Sequence, residues 1–407
     1  MSHPFPSIES VSKTVLDHQL QPHFEALREC NSTRQLRALP LYRELEEEIE
    51  RVLAAVLVQD FTCEPLPVAE SVHVTGWNVE RGLEIDKIAR QFQRHLQLSK
   101  SDLLLLTELD YGMARTCNRN ICRDLARTLS MAYAFAPSYI NLNKGSGLEE
   151  SAEGDNVQAL HGNAVFSRFP ILEACSIALP NGKDKMHGRE KRLGCQRGVF
   201  ALIDHPLGKL RAVSVHLDAH STQKHRMYQM RLVLDRLDNW HPEVPALIGG
   251  DWNTSTYNSR NAFFSILGYA RRVLMGVRNV IQNHFPYPDR WFERHLFREL
   301  ERRGYNYRDL NEPGACTLHY HFEDLAANGR MADWIPNWCF WFINWALQKN
   351  DGRCSMKLDW FAGKGVSPVP GSARVIEDVH TRHSPLSDHD PVVLQLHLEE
   401  TGPSRNP

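Results

Sequence analysis

The stretch Gly249-Gly250-Asp251-Trp252-Asn253 places a carboxylate and an amide two residues apart, directly after the apolar run Pro245-Ala246-Leu247-Ile248. A short apolar run bounded by Pro and Gly reads as a buried strand, and the glycines let the backbone turn sharply as it leaves the sheet. In extended chain, Asp251 and Asn253 then point the same way. A carboxylate beside an amide at the mouth of a sheet suits a hard cation, a phosphate or a held water. An Asx turn closing the strand end would use the same two residues. Other strand ends carry matching groups: Asn78, Glu108, His216, Asp359, Asp388 and His389. Carboxylates and amide oxygens without paired cysteines favour Mg²⁺ or Mn²⁺ over zinc. The imidazoles add proton carriers that titrate near neutrality. Together these are the groups that metal-assisted hydrolysis of a phosphate ester requires.

The elements that must position them follow from the pattern of apolar residues. Residues 1–65 lack strand alternation and read as a helical extension, with apolar positions at helical spacing over 39–56 and Glu46, Glu47, Glu48 and Glu50 turned to water. The extension could be a packing arm or a dimer contact, and packing is favoured. Pro65-Leu66-Pro67 marks the boundary. A strand over 72–77 leads to Asn78, and a helix over 84–98 follows. Leu103-Leu104-Leu105-Leu106 is too continuous for a half-exposed strand, so it is expected to be buried on both faces just before Glu108. A helix over 119–130, a strand over 133–135 and a polar loop over 149–156 come next. Strands at 164–166, 199–203 and 210–215 are close enough to pair antiparallel, and a helix over 223–240 precedes the strand that ends in Asp251. Blocks in this order suggest two packed sheets with helices outside. Residues 255–350 interrupt the pattern with a helical, aromatic insertion that ends in a Trp-rich run over 334–345. That run is too short to span a bilayer; a packed helix, a lid over the site and an interfacial membrane contact are the readings open to it. The strand pattern resumes at 356–361 and ends at 392–396, and 401–407 reads as a disordered tail.

The formal net charge of −2 over 407 residues excludes a global field that would draw the chain to nucleic acid or membrane, so any polyanion contact must be local. No run of eighteen apolar residues and no basic start followed by an apolar stretch occurs, so neither a spanning helix nor a signal peptide is expected. Nine cysteines without a repeated paired motif fit reduced thiols in a cytoplasmic protein, with Cys117 and Cys122 the closest-spaced motif.

Seven short motifs carry a resemblance. Trp77-Asn78-Val79-Glu80, Leu106-Thr107-Glu108, Gly162-Asn163-Ala164-Val165-Phe166-Ser167-Arg168, Ser214-Val215-His216-Leu217, Gly250-Asp251-Trp252-Asn253, Leu358-Asp359-Trp360 and Ser387-Asp388-His389-Asp390-Pro391 follow one another in order. In them the chain resembles the endonuclease/exonuclease/phosphatase superfamily, over about residues 70–398. The resemblance implies a four-layer α/β sandwich: two mixed β-sheets flanked by helices, with the site at one end, here in a domain of about 66–400. It implies Glu108 and Asn78 beside a divalent metal, with Asp388 and Asp251 as further metal-side groups. His389 resembles the general base and Asp359 the carboxylate that orients it. Asp251 would position or activate the water, and whether Asp251 or His389 removes its proton stays open. Asn253 would bind a phosphate oxygen, and His216 matches the histidine of the deoxyribonuclease branch that stabilises the phosphate or protonates the leaving oxygen. Abasic-site enzymes usually have tyrosine there, which weakens a repair reading.

Glu80 is a weaker candidate for a metal contact. His216, His220 and His225 count as a zinc cluster, but a helix beginning after Ser221 should keep them from converging. Lys183, Lys185, Arg189, Lys191, Arg192 and Arg197 outnumber Asp184 and Glu190 in one loop, either a solvated face or a phosphate-facing rim with Arg197 as its contact. The expected activity is phosphodiester hydrolysis, of nucleic acid ahead of a phospholipid head group or an inositol phosphate. No Ser or Cys nucleophile stands with its own base, so no covalent intermediate is implied. A catalytically silent binding module of the same fold is the alternative from another class.

Overall fold

The computed structural model describes residues 15–63, 70–254, 267–268, 271–272, 274–321, 353–380 and 385–399. One sheet is built from β1 (Leu57–Gln59), β2 (Val72–Arg81), β3 (Leu103–Tyr111), β4 (Ala132–Asn141), β5 (Leu160–Ser167), β7 (Arg192–Gly194), β14 (Val366–Pro368), β15 (Arg374–Val375) and β16 (Val392–Leu398). The other holds β6 (Ile171–Leu179), β8 (Gln196–His205), β9 (Gly208–Val215), β10 (Ala246–Asp251) and β13 (Asp359–Lys364), in the order β13-β10-β9-β8-β6. The pairs β2–β3 and β9–β10 are parallel, and the other pairings of these sheets are antiparallel, so both sheets are mixed.

The four-leucine run shows why the sheets stack. Leu103 and Leu105 point into a core shared with Val199, Ala201, Leu247 and Phe361 of the other sheet. Leu104 and Leu106 point the opposite way, against Ile85, Ile88 and Phe92 of α4 (Ile85–Arg94). Each such leucine contributes about 1.5–3 kcal/mol by leaving water, which makes this strand central. The outer face of the first sheet also receives α5 (Ile121–Leu129) and the N-terminal helices α1 (Phe24–Arg28), α2 (Thr33–Ala38) and α3 (Pro40–Ala54). Leu27, Leu36, Ile49 and Val52 are buried there, and β1 pairs with β4, so the extension is part of the same core. On the outer face of the second sheet lie α6 (Gln223–Asn239) and α7 (Arg294–Arg302), packed over Trp252 and Trp360. The four layers are therefore helix, sheet, sheet, helix.

The two glycines lie inside β10, not beyond it. A Cβ on Gly249 would come within 2.7 Å of Leu105 and 2.8 Å of Phe361, so its bare backbone lets the two sheets approach. Gly250 has φ +125°, and a Cβ there would lie 2.3 Å from the Val215 carbonyl oxygen. Strand pairing thus continues through Asp251, opposite Asp359 on β13.

Inside the insertion, β11 (Leu318–His321) pairs antiparallel with β12 (Arg353–Met356), which follows the insertion, and Lys357-Leu358 then connects this ribbon to β13. The Trp-rich run over 334–345 and the tail over 401–407 lie outside the described residues. Among the described residues, no helix is long and apolar enough to cross a membrane.

Candidate active site

Glu108 and Asn78 reach the site because their strands are irregular. The β2–β3 ladder slips between Asn78 and Arg81, and the β3–β5 ladder slips between Leu106 and Leu109. Glu108 sits in that second slip with φ +59°, and Glu80 and Arg81 take φ +45° and +65°. A bulge adds a residue to one strand and re-aims a side chain. Left-handed backbone at a non-glycine residue costs about 1–2 kcal/mol, a strain that the surrounding sheet sustains at this one end. Asn253, with φ +51°, is the corresponding bend after β10.

The side chains converge on one oxygen of Asp251. Asn78 Nδ2 donates to Asp251 Oδ2 at 3.2 Å and to Glu108 Oε1 at 3.0 Å. His216 Nε2 lies 3.4 Å from the same Asp251 oxygen, and His389 Nε2 lies 3.8 Å from it. The other oxygen, Oδ1, accepts from the Asn253 backbone N–H at 2.9 Å. The Asx turn and the functional constellation are thus the same feature, one oxygen serving each. Asn253 Nδ2 donates to the Leu217 carbonyl at 3.0 Å, which ties the loop after β10 to the loop after β9.

His389 is fixed from several sides. Its Nδ1 lies 2.7 Å from Asp359 Oδ2, its backbone N–H donates to Ser387 Oγ at 3.1 Å, and its carbonyl accepts from the Trp77 indole at 2.7 Å. Ser387 Oγ in turn donates to the Asn78 carbonyl at 2.6 Å, locking the His389 loop to β2. Thr317 completes the arrangement. Its hydroxyl donates to Asp359 Oδ2 at 2.6 Å and accepts from the Leu358 and Asp359 backbone N–H groups, each at 3.1 Å. Sequence reasoning missed Thr317 and Ser387 as positioning residues. Ser387 stood inside a recognised motif, whereas Thr317 is 42 residues from Asp359 and carries no charge or periodicity to mark it.

The electrostatics separate the groups. Burial alone would push the His389 imidazole down, but Asp359 and Asp251 outweigh it and raise its pKa well above the usual histidine value. Burial raises the Asp251 carboxyl, with His216 and His389 opposing. Glu108 is the reverse: burial would raise it, yet Arg81, His216 and His161 hold it well below the usual carboxylate range. Arg81 pairs with Glu149 at 3.0 Å, and the buried Arg115 joins Asp110 at 2.7 Å, Glu149 at 3.1 Å and Glu190 at 3.0 Å. The polar loop around Glu149 and the basic loop around Glu190 therefore meet behind Glu108.

Three of the expected groups have surroundings that the sequence does not show. Asp388 is exposed, its carboxylate 3.4 Å from the Ser387 hydroxyl, outside the buried cluster. Arg197 donates from Nη1 to Ser176 Oγ at 3.0 Å, across the β6–β8 pair, while its carbonyl accepts from Asn163 Nδ2 at 2.8 Å. The basic loop is not simply solvated: Lys185 reaches the buried Asp218 at 3.0 Å, and Arg192 pairs with Glu190. Glu80 is buried, and its backbone N–H donates to Asn78 Oδ1 at 3.1 Å. His225 turns away to the Pro180 carbonyl at 2.7 Å, so the three histidines of the loop do not converge.

The donor set fits a hard divalent cation. Carboxylate oxygens of Asp251 and Asp359 lie within 4.8 Å of each other beside His389, and Asp359 Oδ1 is buried without a hydrogen-bond partner among the described residues. Asp359 Oδ2 is already engaged by His389 and Thr317, which suits an orienting carboxylate. Glu108 and Asp251, drawn to one amide, supply carboxylate oxygen without a thiolate.

The Endonuclease/Exonuclease/phosphatase family model matches residues 76–389. No curated protein matches the chain. Among solved structures, an endonuclease/exonuclease/phosphatase from Beutenbergia cavernae DSM 12333 is similar at 18% identity and TM-score 0.49, covering 81% of this chain and 72% of that one. The human Nocturnin catalytic domain is similar at 14% identity and TM-score 0.46, covering 84% and 97%. SmcL is similar at 13% identity and TM-score 0.43, covering 80% and 98%. With the matched span enclosing Asn78, Glu108, His216, Asp251, Asp359 and His389, the chain belongs to the endonuclease/exonuclease/phosphatase family of metal-dependent phosphoesterases.

Proposed function

We propose that the protein is a Mg²⁺- or Mn²⁺-dependent phosphodiesterase that hydrolyses a P–O bond by in-line attack of water, with nucleic acid as the favoured substrate class. The observation that carries this reading is the convergence of Asn78, His216 and His389 on Asp251 Oδ2. A divalent cation held by Glu108 and Asp251, with Asn78 beside them, would offset charge on the phosphate oxygens. Asp251 accepts the proton of the attacking water. His389, kept as the imidazolium by Asp359 and Asp251, donates to a phosphate oxygen where negative charge develops. His216 stands on the other side of Asp251 to stabilise the phosphate or protonate the leaving oxygen. Asn253 and Arg197 are proposed as further phosphate donors.

The test is a panel of phosphoesters (oligonucleotide, sphingomyelin-like lipid, inositol phosphates and a small chromogenic diester) with Mg²⁺ or Mn²⁺. Loss of activity in excess chelator is expected, as is a fall on the order of a hundredfold or more in His389→Ala and Asp251→Ala. Activity that survives both the chelator and the two substitutions would sink the hydrolase reading. Preference for the lipid would replace the substrate class and keep the mechanism.

A further inference from the structure

The segment 271–308 carries nine arginines, no lysine and four carboxylates, a local excess of five positive charges in a chain whose formal net charge is −2. Much of it is consumed by fixed pairs. Arg302 and Arg303 hold Glu299 at 2.7 and 3.0 Å, and Arg303 also reaches Asp235 at 2.6 Å and Asp238 at 2.7 Å. Four of the seven other arginines, Arg290, Arg294, Arg298 and Arg308, line a cleft of about 200 Å³. Arg308 is held by Glu301 at 2.6 Å. Arg290 lies over the Tyr287 ring at 4.5 Å, and Arg294 and Arg298 form no ion pair among the described residues. Asp289 is the remaining carboxylate of the cleft, and burial pushes its carboxyl up against the pull of Arg290 and Arg308.

This row is not explained by stability. Arg294 and Arg298 stand four residues apart on α7, and Arg290 four residues earlier in the preceding turn. Like charges at that helical spacing repel by roughly 0.2–0.5 kcal/mol. The two helical guanidinium groups start about 6 Å apart along the axis, a spacing suited to successive phosphates of an extended strand. Next to Arg290 in the chain, Trp291 is 54% exposed, its ring tilted against the His284 ring with centroids 4.5 Å apart, so much of an aromatic surface faces solvent one residue from the cleft's lining. A cationic track beside an exposed aromatic plane is how single strands are held without regard to sequence. The cleft is distinct from the catalytic cluster yet shares its support: its floor residue Phe297 packs on Trp360 at 4.6 Å and on Trp252 at 6.0 Å, the neighbours of Asp359 and Asp251.

We infer that the Arg290–Arg294–Arg298 cleft is a second binding site, which anchors the backbone of a single-stranded nucleic acid outside the catalytic cluster. Only the choice of polyanion leans on the phosphodiesterase reading, and binding measured without turnover tests it separately. The experiment is fluorescence anisotropy of a labelled oligodeoxythymidylate with the full chain in excess chelator, across a salt series. Replacing all three arginines by alanine should weaken binding at low salt by about tenfold or more and flatten the slope of log K against log salt by about 2, since each single-strand phosphate contact contributes about 0.7. Trp291→Ala should weaken it by about fivefold or more. Arg294→Glu with Arg298→Glu, which reverses the charge on exposed positions, should exceed the effect of Arg294→Ala with Arg298→Ala at an unchanged melting temperature. Binding that persists in His389→Ala but falls in the arginine variants supports the cleft even if no turnover is found. Equal affinity and equal salt slope in wild type and triple variant would overturn it. So would loss of cosedimentation with phosphatidylserine vesicles in the triple variant while oligonucleotide affinity stays unchanged.

Discussion

Thr317→Val removes one hydroxyl and keeps the shape of the side chain, which makes it a stringent test of how His389 is positioned. The lost bond to Asp359 Oδ2 is short, at 2.6 Å, fully buried and made to a carboxylate. Hydrogen bonds to charged groups contribute about 1.5–3 kcal/mol, and the Leu358 and Asp359 N–H groups lose the acceptor they have at 3.1 Å. We expect the unfolding free energy to drop by about 3 kcal/mol, read by urea titration. The catalytic effect should be separable from that loss. Asp359 would face His389 with one fewer restraint, and a displaced catalytic group loses up to about a hundredfold in rate, so kcat should fall by about 10–100-fold with KM little changed. With its charge less satisfied, Asp359 should hold the His389 proton more tightly, so the limb of the pH–rate profile belonging to His389 should move to higher pH. Thr317→Ser keeps the hydroxyl and should restore both kcat and the profile. If Thr317→Val loses stability but keeps kcat and its pH profile, or if serine does no better than valine, the positioning argument fails.

Gly250→Ala should destabilise the fold by about 3 kcal/mol or more, because the alanine would have to hold φ +125° with its methyl 2.3 Å from the Val215 carbonyl oxygen; a urea-derived loss below about 1 kcal/mol would show that β9 and β10 separate easily. His205 packs edge-on against Phe169 at 4.3 Å, and burial lowers its pKa from 6.5 to about 4. Its neutral ring therefore contributes stability that is fully present above pH 6.5 and is lost as pH falls through about 4, at most about 3 kcal/mol over the window and less where solvent reaches the ring. The difference in unfolding free energy between wild type and His205→Gln, measured along that pH range, should shrink by that order; a constant difference would contradict it.

The sequence was most informative where local pattern and burial coincide. Leu103-Leu104-Leu105-Leu106 could be read as buried on both faces because a strand alternates sides, and both of its faces do meet apolar layers. The helix expected over 84–98 forms as Ile85–Arg94, with Ile85, Ile88, Ala89 and Phe92 buried, since an amphipathic period is a local property. Irregular features were harder to see. The strand expected at 133–135 runs over Ala132–Asn141, its second half, Pro137-Ser138-Tyr139-Ile140-Asn141, mixing proline, polar and apolar residues that neighbouring strands bury. The glycines before Asp251 were placed outside the strand because composition shows their freedom but not the two sheets pressing on them.

Residue types and their order alone identified a hydrolytic constellation of oxygen donors and imidazoles, since the chemistry of a carboxylate or a histidine does not depend on where the chain runs. Tertiary structure alone decided which oxygen of Asp251 meets Asn78, His216 and His389, and which one closes the turn with Asn253. It also decided that Thr317 would steady Asp359, that Glu149 and Glu190 would share Arg115 behind Glu108, and that Arg197 would reach Ser176. These depend on bulges, positive φ angles and contacts between segments up to hundreds of residues apart, and a one-dimensional pattern carries no term for the distance between them.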